Sequence, residues 1–247
     1  MKFETNFKNE MRNYLYGRNP LLSFVSSGDI TKIFLQNGFK NEVILKNLEK
    51  YHLKPIYVDA KELDRMTGGA NHQGGVFTLK PYQYSSLDEI IKCAKNKERP
   101  IILLIDEVND PANFGAMIRS ADAFGVDGII IKSKNQVLVT PATVKSSTGA
   151  TRFVKIAVVN NLSNAIKKLK DNGYWIYAAD GSAKDNYLDL KYDRPTGLIL
   201  GSEGFGISRL VLENSDFIIK IPMCGHVNSL NVSVACGILL SYIRNNK

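Results

Sequence analysis

Two hydropathy regimes follow one another along this chain. From residue 101 onward the apolar residues come in unbroken runs, at 101–105, 128–131, 154–159, 175–179, 197–200 and 217–221. A strand that does not alternate apolar with polar is covered on both faces, so these runs predict a parallel sheet flanked by helices. The segments between them supply helices: 113–124, stopped by Gly125; 140–147, opened by Thr140-Pro141; and 162–172, stopped by Gly173. Before residue 80 the elements are shorter and alternate in type. A helix at 20–26, a strand at 33–35, a helix at 43–51, a strand at 55–58, a helix at 60–66 and a strand at 75–79 predict a small α/β/α unit. The polar stretch that follows, with one amphipathic helix at 86–96, reads as a connector. The expected fold class is therefore α/β, with domains at 1–80 and 100–247 joined by a linker at 81–99.

Composition narrows the class. With 44% hydrophobic and 23% charged residues, the chain is neither disordered nor fibrous. A net charge of +8 and a pI near 9.2 make a polyanion, nucleic acid above all, the first partner to consider. The excess leans towards the N-terminal part, where residues 1–99 hold 16 basic and 11 acidic groups. Cys93, Cys224 and Cys236 are too scattered for a disulfide framework and show no zinc-type spacing, so a reducing cytoplasm and no metal are expected. The first residues lack the apolar run of a signal peptide. No stretch approaches the roughly 18 apolar residues of a membrane span, so no membrane partner is expected.

In open parallel sheets the ligand lies beyond the carboxyl ends of the strands, which directs attention to three loops. The first is Glu107-Val-Asn-Asp-Pro-Ala-Asn-Phe-Gly-Ala-Met-Ile-Arg119, where Asn113 is the expected N-cap. Gly115 and Arg119, four apart on a helix, share a face there that has room for an anion or a ribose. By itself it reads first as a capped helix with a surface arginine. The second is Gly201-Ser-Glu-Gly-Phe-Gly-Ile207, whose glycines admit close backbone approach while Glu203 sits in the bend. It is not G-x-G-x-x-G and does not follow the first strand. That argues against a dinucleotide-binding oxidoreductase and against the commonest S-adenosylmethionine-dependent methyltransferase fold. The third is Ile221-Pro-Met-Cys-Gly-His-Val-Asn-Ser-Leu-Asn-Val-Ser-Val-Ala235. Pro222 and Gly225 fix a bend, Ser229 or Asn231 caps a helix, and Leu230, Val234 and Ile238 recur at helical spacing.

In this order the loops resemble those of the SpoU (TrmH-like) family of RNA ribose 2′-O-methyltransferases, of the SPOUT class. The resemblance rests on Asn113-x-Gly115-x-x-x-Arg119, Leu200-Gly-Ser-Glu-Gly204 and Ile221-Pro-Met…Ser229-Leu-Asn-Val-Ser233, and covers about residues 100–247. The N-terminal unit is similar to this family's ribosomal-protein-like, RNA-binding substrate domain. Tyr16-Gly17 and Asn71-His-Gln-Gly-Gly75 point to the bacterial 23S rRNA (guanosine-2′-O)-methyltransferase branch.

The resemblance implies a trefoil-knotted C-terminal domain that binds S-adenosylmethionine through Leu200, Gly201, Gly204, Ile221, Met223 and Leu230. It assigns catalysis to Arg119 with Asn113, Glu203, Ser229 and Asn231. An arginine, with a pKa of roughly 12 or more, is a poor base, so its role is read as a phosphate clamp that stabilises alkoxide charge. The proton then passes to phosphate or water. Asn113 holds the ribose or Arg119, Glu203 orients Arg119 or its loop, and Ser229 with Asn231 positions the hydroxyl. The resemblance also implies a homodimer in which Arg119 acts in its own or its partner's site. His226, His72 and His52 are assigned no catalytic part. Arg18, Lys32, Lys40 and Lys46 are candidates for phosphate contacts. The alternatives are a tRNA ribose methyltransferase or an antibiotic-resistance rRNA methyltransferase of the same family and, more distantly, a non-catalytic RNA-binding protein.

Overall fold

Alternation of short strands and helices near the N-terminus and long apolar runs after residue 100 produce two separate units. The structure, a computed structural model, describes residues 14–246; residues 1–13, whose sequence argued against a signal peptide, and Lys247 lie outside it. The first unit comprises residues up to Tyr82 together with Val139–Gly149; the second comprises Gln83–Leu138 and the chain from Ala150 on.

The first unit is built on a four-stranded sheet in the order β1-β4-β2-β3, from Leu15–Tyr16 (β1), Ile30–Gln36 (β2), Ile56–Val58 (β3) and Gly75–Leu79 (β4). Helices Arg18–Phe24 (α1) and Glu42–Lys50 (α2) bury Leu21, Phe24, Ile44 and Leu48 against Leu15, Ile33, Leu35 and Phe77. Asn41 starts α2 by accepting the amide of Ile44 at 3.0 Å. Helix Ala60–Thr67 (α3), carrying the fully buried Leu63, lies against β4 and β2 and stops at Gly68 in the left-handed conformation.

One expected helix of the parallel-sheet domain belongs to the first unit instead. Pro141–Ser146, capped by Thr140, buries Val144 in the cluster of Leu15, Leu21 and Phe24 and sets Lys145 Nζ 3.8 Å from the Tyr16 ring centroid. With six residues it is too short to cover a sheet face, and Val144 is its only buried aliphatic side chain.

The second unit carries a seven-stranded sheet, parallel throughout, in the order β7-β6-β5-β10-β8-β11-β9. The strands are Ile101–Asp106 (β5), Gly128–Lys132 (β6), Ile156–Val159 (β7), Trp175–Ala179 (β8), Asp185–Asn186 (β9), Thr196–Gly201 (β10) and Phe217–Lys220 (β11). Its β5 and β10 are buried almost end to end, as unbroken apolar runs require. β7 begins later than the run at 154–159 because Val154 closes a turn onto the Ala150 carbonyl.

The stretch expected as a linker is not one. Helix Leu87–Ala94 (α4), capped by Ser86, places Ile90 and Ile91 in the same core as Ile102, Leu104 and Ile176. Gly128 makes room for it: a Cβ there would lie 2.4 Å from Ile90 Cγ2. The other helices of this unit are Pro111–Ala123 (α5), Leu162–Asp171 (α6), Arg209–Glu213 (α7) and Val232–Asn245 (α8). The buried stripe of α8 is Val232, Cys236, Leu239, Leu240 and Ile243, while Val234, expected in the apolar stripe, is half exposed. Burial of Cys236 pushes its thiol well above the usual range, which makes it inert.

The end of α8 is held by arginines. Arg244 donates to the carbonyls of Phe124, Gly125 and Arg99 at 2.8, 2.6 and 3.2 Å, and Arg99 donates to those of Ile243 and Asn246, both at 2.6 Å. Among the described residues no helix is long and apolar enough to cross a membrane, and no cluster of His, Cys, Asp and Glu could hold a metal ion.

Because the Gly128–Ile90 contact is closed, Gly128→Ala must push α4 outward. Urea denaturation is expected to show a loss of about 1–3 kcal/mol.

Candidate functional site

The carboxyl ends of the central strands bring the three loops together. Gly201 of β10 is registered opposite Asp106 of β5, so the first two loops leave the sheet side by side. The N-cap of α5 is Asp110, not Asn113: its carboxylate accepts the amides of Ala112 and Asn113 at 3.2 and 3.0 Å, with Pro111 in the first turn. The side chain of Asn113, three residues further in, is thereby released from capping. Asn231 does cap α8, its Oδ1 accepting the amides of Ser233 and Val234 at 2.9 and 3.3 Å.

These residues converge on Glu203. Its Oε1 accepts from Asn113 Nδ2 at 3.1 Å, from Asn231 Nδ2 at 2.6 Å and from the Val232 amide at 3.3 Å; Asn231 Nδ2 also reaches Asn113 Oδ1 at 2.9 Å. Three N–H donors thus meet one carboxylate oxygen at the amino end of a helix, where negative charge is favoured. Its second oxygen accepts from none of the described residues.

The loop that presents Glu203 is a closed turn. The amides and carbonyls of Ser202 and Gly206 exchange two hydrogen bonds at 3.0 Å, and Ser202 Oγ accepts the Phe205 amide at 3.1 Å. Gly206 has φ 67, and a Cβ on Gly201 would fall 2.2 Å from the Gly206 backbone, so neither position admits a side chain without opening the turn. The Gly204 position has open space around it and does not require glycine on packing grounds.

Beside this turn lies a cavity of about 520 Å³. Leu200, Gly201, Ile221, Met223 and Leu230, five of the six residues expected to hold a cofactor, line it; Gly204 does not. Glu203 and Ser229 line it as well. Between Met223 and Leu230 no backbone amide or carbonyl is engaged in a hydrogen bond with the described residues, which leaves polar groups available along the cavity. Asp180 and Gly181, just past β8, also line it and were missed in the sequence. The same strand-end rule that picked out the other loops could have found them.

Arg119 stands apart. It is exposed, makes no hydrogen bond or ion pair with the described residues, and does not line the cavity. Six residues beyond Asn113, it lies about 9 Å further along the helix and about a third of a turn away from facing the same side. His226 and His52 are exposed, and His72 lies in the first unit.

The turn is also tied from below. Asp106, 1% exposed, accepts the Ser208 amide at 2.8 Å and Lys132 Nζ at 3.1 Å, while Lys132 also bonds Glu107 at 2.5 Å. Glu107 has φ 69, a left-handed conformation that carries strain in a residue with a side chain. Burial works against the Lys132 charge, but its hydrogen bonds to Glu107 and Asp106 outweigh it and raise its pKa above the ordinary 10.5.

Comparison with known proteins gives this architecture a class. Residues 100–241 match the SpoU rRNA methylase family, and residues 14–85 match the RNA 2′-O ribose methyltransferase substrate-binding family. The chain is an RNA methyltransferase by class, and it belongs to the SpoU rRNA methylase family. It is 41% identical over 231 residues, 92% of each chain, to a putative TrmH family tRNA/rRNA methyltransferase of Staphylococcus epidermidis. Its fold is similar to that of the SpoU methyltransferase AviRb of Streptomyces viridochromogenes, with TM-score 0.79 and 21% identity over 97% of this chain and 96% of that one. A second structure of AviRb, in complex with the cofactor AdoMet, superposes with TM-score 0.78 and 22% identity over 94% and 88% of the two chains.

Replacing Lys132 by Met leaves the buried Asp106 carboxylate without its cation. Because Lys132 is 21% exposed, the expected loss is about 2 kcal/mol, below the range for a fully buried pair. A lysine whose pKa rises on folding contributes stability below its unfolded pKa and loses it as pH climbs through the folded value. The gap between wild type and variant in urea titrations should therefore hold from pH 7 to 9 and narrow above about pH 10.5.

Proposed function

We propose that this protein transfers a methyl group from S-adenosylmethionine to a ribose 2′-OH of RNA, at a guanosine of 23S rRNA, and that it does so as a cytoplasmic homodimer. The observation that carries the reading is the junction at Glu203. It joins three loops, each matching a motif of the family, at the rim of one cavity.

The residues present fit the cofactor. A cavity of about 520 Å³ falls within the range that small-molecule ligands occupy. Leu200, Ile221, Met223 and Leu230 give it apolar walls for an adenine ring, and the unengaged backbone between Met223 and Leu230 gives polar groups for the ring edge. Gly201 keeps the turn closed against that wall. S-adenosylmethionine supplies a sulfonium-activated methyl, so the protein's share of the work is orientation more than strong acid or base chemistry.

Glu203, locked by Asn113 and Asn231, fixes the turn and the start of α8 relative to each other. The Ser229 hydroxyl, with only a 3.4 Å contact to Asn228, is available to the 2′-OH. Arg119 clamps the adjacent phosphate and stabilises the developing alkoxide, while the proton leaves to phosphate or water. Since Arg119 is exposed and outside the cavity lining of its own chain, it serves the cavity of a second copy. Val234, half exposed on α8, suits a partner surface better than a core. The first unit, rich in cations, recruits the RNA, and binding falls steeply with salt.

Arg119→Ala should lower methyl transfer at least 100-fold in a radiolabelled-methyl assay while calorimetry finds cofactor affinity within twofold. If Arg119 works across the dimer, mixing this variant with Glu203→Ala restores part of the activity; no recovery places it in its own site. Mass-spectrometric mapping of ribose methylation in rRNA and tRNA from cells lacking the protein should show one 23S guanosine unmodified. A missing tRNA methyl instead would transfer the assignment to tRNA.

A further inference from the structure

The first unit holds a cleft of its own, about 590 Å³, where the two N-terminal motifs meet. The Gly17 amide donates to the Gly75 carbonyl at 3.0 Å. The Arg18 amide donates to Gln73 Oε1 at 3.0 Å, and Arg18 Nε to the Gln73 carbonyl at 3.4 Å. These bonds hold a turn in which Gln73 and Gly74 are both left-handed, with φ of 53 and 79. For glutamine that conformation is strained, and such strain persists only where the surroundings impose it.

The turn carries an aromatic ring. A Cβ at Gly74 would stand 3.0 Å from Phe39 Cδ2, so a glycine is what lets Phe39 rest against the backbone. The Arg18 guanidinium sits 5.7 Å from the centroid of that ring. His72 braces the far side: its Nδ1 accepts the Gly74 amide at 3.0 Å and its Nε2 meets Asp64 Oδ1 at 3.2 Å, so the neutral ring carries its proton on Nε2. Asp64, the one carboxylate among the described lining residues, is thereby occupied, and the exposed cations Arg18 and Lys40 set the sign of the cleft.

A planar ring beside a guanidinium, a second cation and exposed amide groups recognise a flat heterocycle joined to an anion. We propose that this cleft binds one unstacked nucleotide of the RNA substrate, its base against Phe39 and Arg18, its phosphate on Lys40, and its edge within reach of Asn71. The volume is sufficient for one nucleotide. A base must leave its helix to enter, so the cleft selects a loop or bulge over continuous duplex. This rests on the reading of the chain as an RNA methyltransferase, but the cleft can be tested without methyl transfer.

Amide NMR of the full chain, titrated with GMP, AMP, CMP and UMP, should show saturable millimolar shifts at Gly38, Phe39, Gly69 and Gly74. Phe39→Ala should weaken them about tenfold, and Phe39→Tyr should retain them. Equal shifts with inorganic phosphate alone would reduce the cleft to an anion site and overturn the proposal. So would shifts confined to Gly201, Ile221 and Leu230. In methyl transfer to RNA, Phe39→Ala is expected to raise KM about tenfold with kcat within twofold, its amide spectrum showing that the variant is folded; a fall in kcat alone would contradict the assignment. Should the wild-type chain methylate no RNA at all, the proposed activity fails while the nucleotide titration still decides the cleft.

Discussion

Glu203 Oε1 is the point on which the second unit's site depends. One oxygen receives the amide side chains of Asn113 and Asn231 and the first amide of the terminal helix, so the beginnings of two helices and the crest of the glycine turn share a single acceptor. Such a junction is cooperative in a specific sense: Glu203 cannot rotate without stranding all three donors. The turn cannot relax either, because Gly201 and Gly206 are in backbone contact and Ser208 is fastened to the buried Asp106. The cavity wall is therefore made rigid by polar bonds at its rim and by the sheet beneath it.

That rigidity suits the cavity to a ligand met mainly by backbone groups. The region from Met223 to Leu230 has no internal hydrogen bonds to satisfy its backbone, yet it is pinned at one end by β11 and at the other by the capped start of α8. A segment fixed at both ends but unsatisfied along its length presents donors and acceptors in set positions. It does so without the expense of ordering long side chains on binding.

The sequence revealed the parallel sheet because its strands are buried on both faces, a property written into each run of apolar residues. A family resemblance pointed to six residues for a cofactor, and five of them, all but Gly204, line the cavity. Other features were hidden for physical reasons. Asn113 and Asp110 are both good caps, and only Pro111, which fits the first turn, decides between them. The meeting of Asn113 with Glu203 and Asn231 spans 90 and 118 residues, beyond the reach of any local periodicity. Helix α4 sits in a polar stretch that by composition looks like a connector, although Ile90 and Ile91 give it a buried face. The two-residue strands β1 and β9 are too short to show a period at all.

The arginine clasp at the end of α8 has a consequence for how the molecule can be handled. Arg99 and Arg244 spend their donors on main-chain carbonyls, not on carboxylates. A hydrogen-bonded contact leaves no room for an ion between charge and dipole, whereas attraction to a polyanion acts through the dissolved ions and collapses in brine. Washing in molar salt should thus strip bound nucleic acid from the protein while its terminal helix stays fastened.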